Sequence, residues 1–169
     1  MPLESWKPTQ MAPRWDALQR DPEGFFHSIV EMMSSALRVP VSMISIVQDK
    51  RHLVHAAHGL EHLQADRIEI PIRYSICQHV VAMGRPLFVS DAFAHPLVQD
   101  NPMVRERNIT SYMGEPLHGA NGRAIGTLCV MDLRARDWTD TQRSMLSIAA
   151  MIVEKALSWP DGNGEFPAR

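Results

Sequence analysis

Two cysteines, eight histidines and scattered carboxylates are the residues of this 169-residue chain with chemistry to offer. Cys77 and His79 stand two apart, just after Arg73, Tyr74 and Ser75. A thiol near a helix N-terminus can lose its proton more readily and act as a nucleophile. A catalytic Cys–His pair must also meet, and residues two apart on a helix point about 200° from one another. The favoured reading of Cys77 is therefore a packing thiol, since free cysteine is among the most buried residue types. Cys129 lies in the apolar run Thr127-Leu128-Cys129-Val130-Met131 and reads as an inert core thiol. Two thiols so far apart in sequence suggest neither a disulfide framework nor a four-cysteine zinc site.

The histidines do not converge either. His52, His55 and His58 are spaced by three. On a strand His52 and His58 would share one face and His55 the other. They read as solvent-exposed polar positions. His58 and His62 could meet on a helix, but Gly59 argues for loop. Asp91 and Asp100 flank a long irregular segment. Paired carboxylates can do acid–base work, but here they read as turn-formers.

The best polar constellation lies around Ser75. A helix beginning there offers free backbone N–H groups to an anion or polar ligand. Arg73, Tyr74 and Ser75 stand beside that terminus, Cys77 follows, and Tyr112 and Glu115 would face it from a strand. The competing reading makes Tyr112 a core aromatic, points Glu115 to solvent and pairs Arg73 on the surface.

These residues need elements to position them. Asp21-Pro22 looks like a helix start. Phe26, Ile29, Val30, Met33 and Leu37 recur at helical spacing, so an amphipathic helix is expected over 22–38, closed by Pro40. Residues 41–47 are rich in β-branched side chains and read as a strand, returning through a polar turn into 52–57. Residues 59–66 read as loop. Ile68, Ile70 and Ile72 make an extended edge. Ser75 should cap a short helix ended by Gly84, with a strand at 86–90. Residues 91–103 should form a long loop, with a short helix at 102–107. Ser111 to Leu117 and Ala124 to Met131 should pair through the turn at Asn121-Gly122. Thr139 with Gln142 forms a capping box. Met145, Ile148, Ala149, Ile152, Val153, Ala156 and Leu157 then make one apolar stripe on a helix of about five turns.

Strand pairs joined by short turns imply an antiparallel sheet. The outer helices can lie together on one face, leaving the segments 75–83 and 91–110 to the other and enclosing a cavity beneath them. The expected class is α+β. Hydrophobic residues make up 45%, charged residues 21%, and the net charge is -2. That is an ordinary globular balance for one domain, without the general positive field that favours nucleic acid. Residues 1–20 lack the apolar core of a signal peptide, and no run approaches the ~20 apolar residues of a membrane span. A cytoplasmic protein with no membrane partner is the expectation.

The ordered series Ile70-Pro71-Ile72-Arg73-Tyr74-Ser75-Ile76-Cys77-Gln78-His79, Gly84-Arg85-Pro86-Leu87-Phe88-Val89-Ser90-Asp91, Asp100-Asn101-Pro102, Tyr112-Met113-Gly114-Glu115-Pro116-Leu117 and Gly126-Thr127-Leu128-Cys129-Val130-Met131-Asp132 resembles the GAF family. It is most similar to GAF domains that precede kinase or phosphatase modules in bacterial signalling proteins. The resemblance covers roughly residues 22–157, leaving 1–21 as an N-terminal arm and 158–169 as a flexible tail. It implies a GAF/PAS-like antiparallel sheet, with terminal helices on one face and short crossover helices and loops on the other. It also implies a ligand pocket between sheet and crossover loops, and in many members a homodimer through the terminal helices. Residues 22–38 and 143–157 fit that dimer role.

The implied function is a signal-transduction module, not an enzyme. It would bind a small molecule through Arg73, Tyr74, Ser75, Cys77, Tyr112 and Glu115, with 91–110 as lid, and regulate a separate effector. The alternative is a pocketless dimerisation module. Free methionine sulfoxide reductases are also GAF proteins, and Cys77 sits where one of their cysteines would be. No second Cys lies in the loop 91–100, and Cys129 is placed too deep in a strand to serve, so a disulfide relay is hard to build. Residues 102–110 hold no Cys for a bilin, and the pattern expected for cyclic nucleotides is missing. His79 or His95 could be imagined as a haem ligand, but neither carries that reading. The resemblance names no cofactor and no ligand.

Overall fold

Two tight hairpins organise the molecule, and a third antiparallel pair is reached only after a long excursion. The computed structural model describes residues 24–63, 69–119 and 121–157. Expectations for the arm 1–21, the tail 158–169, Asp21, Pro22 and Ile68 lie outside the described residues.

The first helix, α1, spans Phe25–Leu37. Gly24 precedes it with a φ of 74°, a conformation glycine adopts without steric cost. All five residues predicted to face inward, Phe26, Ile29, Val30, Met33 and Leu37, are buried. The strands β1 (Val41–Val47) and β2 (Arg51–His58) follow as the first hairpin. A short 3-10 turn at Leu60–Leu63 occupies part of the expected loop. Then come β3 (Glu69–Pro71), a 3-10 turn at Ile72–Tyr74, and α2 (Cys77–Met83). Next are β4 (Leu87–Val89), α3 (Pro102–Arg107), β5 (Ser111–His118), β6 (Ala124–Asp132) and α4 (Asp140–Leu157).

The six strands form one sheet in the order β3-β2-β1-β6-β5-β4. Every neighbouring pair is antiparallel. The class is α+β. Each face of the sheet carries its own buried cluster. One joins α1 and α4 to the sheet through residues such as Phe26, Val30, Met113, Leu128, Leu146 and Val153. The other joins the crossover segments through Ile76, Cys77, Val80, Val98, Val104, Tyr112 and Cys129. Terminal helices on one face and crossover segments on the other is the arrangement expected. The second cluster lies on the crossover side, where the ligand pocket was expected.

The capping box at α4 forms reciprocally. The Gln142 N–H donates to Thr139 Oγ1 at 3.2 Å, and the Thr139 N–H donates to Gln142 Oε1 at 3.0 Å. The apolar surface of α4 differs from the single stripe predicted. Leu146, Ala149, Ala150, Val153 and Leu157 face the core, whereas Ile148 and Ile152 are exposed. The helix has apolar residues on more than one side, and only the side turned to the sheet is covered. Among the described residues, no helix is long and apolar enough to cross a membrane.

Candidate functional site

Hairpin register brings the sulfurs together. Across β5 and β6, Gly114 pairs with Cys129 and Tyr112 with Met131. Alternation along each strand then puts Tyr112, Gly114, Thr127 and Cys129 on the crossover face, with Met113, Leu117 and Leu128 on the helix face. The α2 segment lies over that crossover face and presents Cys77. The Cys77 Sγ stands 3.7 Å from Cys129 Sγ, and both thiols are free and buried. The Tyr112 hydroxyl donates to Cys77 Sγ at 3.3 Å from a side chain with no exposure. Gly114 makes this possible: a Cβ there would collide with the Tyr112 hydroxyl and stand 2.7 Å from Cζ of the same ring.

The polar character continues across the sheet. Thr127 pairs with Ser45 on β1, and their hydroxyls meet at 3.2 Å, fully buried. On β2, His52 is only 2% exposed. A bulge opposite Ile44 and Ser45 pairs those residues with Ala56 and Val54, so one extra β2 residue, His55, is accommodated. Val54 consequently joins the crossover cluster and Ala56 the helix cluster. His52 sits close enough to Cys77 to favour its thiolate. Neither ring nitrogen of His52 completes a well-formed hydrogen bond among the described residues. A buried imidazole whose hydrogen bonds are poorly formed recovers only part of the cost of leaving water, so the fold maintains this arrangement at a cost.

The two thiols titrate as a pair. Burial pushes the Cys77 thiol up. The contacts with Cys129, His52 and the Thr127 hydroxyl outweigh it and hold Cys77 well below the usual thiol range. The contact with Cys77 and burial together push Cys129 well above that range. One proton is thus released more easily than the second. Burial, and then the negative charge on the sulfurs, raises the Tyr112 phenol. The phenol therefore remains a hydrogen-bond donor.

The predicted ligand residues divide into three places. Ser75, Cys77 and Tyr112 are buried within the crossover cluster. Ser75 is 1% exposed, and its Oγ accepts the Gln78 N–H at 3.1 Å. Ser75 is thus a cap, as expected. The His79 N–H is also taken, by the Ile76 carbonyl at 3.1 Å, so the first turn is less open to an anion than predicted. Arg73 and Tyr74 lie above, on the turn before α2. The Arg73 guanidinium lies 5.2 Å from the Tyr74 ring centroid, and the Tyr74 hydroxyl donates to Glu106 Oε2 at 2.7 Å. Asn101 Nδ2 reaches the Arg73 carbonyl at 3.4 Å, while its Oδ1 accepts the Met103 N–H at 2.8 Å to cap α3. The segment 91–110 is therefore tied to the Arg73–Tyr74 turn at two points.

Glu115 is a correction. It was expected to face Ser75, but three residues from Tyr112 it falls on the opposite face of β5. Its carboxyl is raised by burial first and then by Glu154 on α4, with His118 opposing. His118 Nδ1 stands 2.7 Å from Glu154 Oε1. His52 is the second correction, since a surface position was expected and β2 is flanked on both sides by strands. His55 is half-buried and meets Phe26 edge-on, with ring centroids 5.0 Å apart. His58 is exposed, as expected. Among the described residues, no three of His, Cys, Asp and Glu are grouped to hold a metal. Asp91 Oδ1 accepts the Phe93 N–H at 3.0 Å, the turn role predicted for it.

The third correction concerns Cys129, which was placed too deep to partner Cys77. Depth does not separate them, because α2 lies directly over β6. Ser45, Thr127 and His52 were also missed. The Asn121-Gly122 turn held the signal for Thr127 and Cys129, since hairpin register follows from turn geometry. The covering position of α2 has no such local signal.

A family model described as GAF domain matches residues 21–157. A cyclic di-GMP phosphodiesterase of Pseudomonas aeruginosa is 34% identical over 121 residues, covering 70% of this chain and 20% of that protein. The chain thus spans about one-fifth of the length of that relative. Among solved structures, the GAF domain of an Acinetobacter phosphoenolpyruvate-protein phosphotransferase superposes with a TM-score of 0.63 at 16% identity, covering 88% of this chain and 94% of that one. A free methionine-R-sulfoxide reductase of Neisseria meningitidis, solved with its substrate, gives a TM-score of 0.62 at 20% identity, covering 78% and 74%. Those two likenesses concern the fold. The match along nearly all the described residues, on a sheet covered by terminal helices on one face and crossover segments on the other, makes this chain a member of the GAF domain family.

Proposed function

We propose that this GAF domain is a regulatory, cytoplasmic sensor. It takes a small polar molecule on the crossover face and passes the bound state to an effector. The observation that carries this reading is the buried polar band of His52, Ser45, Thr127, Cys129, Cys77 and Tyr112. Polar groups inside an otherwise apolar layer are costly unless paired, and the buried His52 ring, which approaches Cys77, completes no well-formed hydrogen bond among the described residues. Arg73 and Tyr74 stand at the rim of that band, and the segment 91–110 covers it. A ligand competing for the Tyr74 hydroxyl or the Arg73 carbonyl would loosen the ties to Glu106 and Asn101. Binding would then shift a pre-existing equilibrium of that segment. Glu115, on the other face, has no part in this. The similarity to a cyclic di-GMP phosphodiesterase suggests that the effector is an enzyme of cyclic dinucleotide turnover. Neither nucleic acid nor a membrane is a partner in this reading.

A second reading rests on α1 and α4. Met32 is 49% exposed, Ile148 58% and Met151 63%, an apolar surface on the terminal helices. A homodimer through these helices fits that surface, and it is compatible with either a sensing or a purely structural role.

Native mass spectrometry of freshly purified protein tests both readings. Extra mass lost on denaturation, and reduced in Arg73→Ala, supports the sensor. A dimer without extra mass, and without protection of residues 91–110 from proteolysis by added metabolites, favours the structural module. A monomer at all concentrations removes the dimer reading.

A further inference from the structure

Cys77 and Cys129 are 52 positions apart in the chain, yet their sulfurs touch. From the geometry we infer that Cys77 and Cys129 form a redox-modification site, a dithiol that a hydroperoxide converts to an intramolecular disulfide. This goes beyond the sensing role and does not depend on it.

The geometry meets the first requirement. A disulfide needs its sulfurs about 2.0 Å apart. The present separation is 3.7 Å, so the sulfurs already stand in contact and forming the bond requires them to close on one another. α2 has only seven residues, in a crossover segment rather than in the sheet. The second requirement is a thiolate, and the contacts of Cys77 with Cys129, His52 and Thr127 favour it there. Tyr112 adds a hydroxyl aimed at the same sulfur. The third is a resolving thiol, and Cys129, which keeps its proton, is in contact.

The chemistry balances with hydrogen peroxide as the oxidant. The Cys77 thiolate attacks one peroxide oxygen, the O–O bond breaks, and hydroxide leaves with the Cys77 proton to form water. The sulfur is now a sulfenic acid. The Cys129 sulfur then attacks it, the S–S bond forms, the S–O bond breaks, and the departing hydroxyl takes the Cys129 proton and leaves as a second water. Two thiols have lost two electrons, and one peroxide has been reduced to two waters. The crosslink would pin the start of α2 to β6. It would also take away the acceptor of the Tyr112 hydroxyl, beneath the turn that holds Arg73 and Tyr74.

The test is peroxide treatment of the folded full chain with no ligand added, followed by denaturation in a thiol-tagging reagent and peptide mapping. The expected result is equal loss of both thiols, a peptide joining Cys77 to Cys129 whose mass is two hydrogens below the sum of its two thiol peptides, and full reversal of that crosslink by dithiothreitol. The yield should not change with protein concentration. In Cys129→Ala the crosslink is lost and Cys77 is trapped as the sulfenic acid by a 1,3-dione. The exposed Met151 is the internal control for oxidant reaching the protein. Conversion of Met151 to sulfoxide with both thiols intact would overturn the inference. So would oxidation of Cys77 to the sulfinic acid with Cys129 untouched, or crosslinks found only between molecules. The wild-type result decides the matter even if the Ala variant folds poorly.

Discussion

The two faces of the sheet bury clusters of similar size but different kind. The helix face is filled by Leu, Ile, Val, Met, Phe, Ala and Trp side chains. The crossover face mixes apolar residues with Tyr112, Cys77 and Cys129, and places His52, Ser45 and Thr127 beneath the same cover. The helix face buries polar side chains too, Glu115 and, by strand alternation, Ser42 among them. The crossover face gathers its buried polar groups, His52, Ser45, Thr127, Tyr112 and the two thiols, into one band, where apolar residues of the same size would be less costly. Departures from local consistency tend to sit at functional places. The contrast teaches where to look for chemistry in a fold whose layers are otherwise alike.

Substitutions can break this comparison. The largest effect is expected on the helix face. Leu146→Ala empties a fully buried site, and the loss should be about 3 kcal/mol. Thermal unfolding would then fall by roughly 6–12 °C. A loss no larger than that of an exposed Ile148→Ala control would deny the helix face its stabilising role.

Gly114→Ala comes next. The new methyl group would meet the Tyr112 hydroxyl and ring, whose own side chain is fully buried and has little room to yield. Overpacking of this kind costs about 1–3 kcal/mol. The comparison is sharpened if the same substitution also changes the rate of thiol alkylation at Cys77, since the Tyr112 hydroxyl would be displaced from that sulfur. An unchanged alkylation rate would mean that Tyr112 and Cys77 are not coupled.

Asn101→Ala should cost about 1 kcal/mol, the usual value of a helix N-cap. It removes the acceptor for the Met103 N–H and the reach to the Arg73 carbonyl. Faster proteolysis confined to residues 91–110 is the expected signature. Equal cleavage in both proteins would mean that Asn101 does not hold the cover.

Glu115→Gln should have the smallest effect, and it should be a gain. The carboxyl is raised by burial and by Glu154, so the folded state holds its proton more tightly than the unfolded chain does. The stability it contributes is present at acid pH and is lost as pH rises through the folded pKa. Glutamine does not pay that electrostatic cost. The variant should unfold higher at neutral pH by under about 1 kcal/mol, and the advantage should shrink as pH falls toward the carboxylate range. A gain that persists unchanged at acid pH would exclude this cause.

Much of the fold was legible because its signals are local. The inward residues of α1 follow from 3.6-residue spacing, the β5–β6 hairpin from Asn121-Gly122, and the α4 start from Thr139 and Gln142. The cap at Ser75 was readable for the same reason. Glu115 follows from a local rule as well: three residues from Tyr112, strand alternation turns it to the opposite face. His52 was misplaced for a deeper reason. Whether a strand lies at an edge or inside a sheet depends on which distant segment pairs with it, and β3 arrives only at Glu69.

By itself, the sequence determined the periodicities, turns and caps, and through them the number and kind of elements. Those depend on residues within a few positions of one another. Only the tertiary structure decided that α2 covers β6, and hence that Cys77 meets Cys129, that Tyr112 lies over Gly114 and points at a sulfur, and that His52 is sealed in. Each of those contacts joins residues far apart in the chain. Their distances are set by how the whole sheet closes and what packs upon it, which no short stretch of sequence encodes.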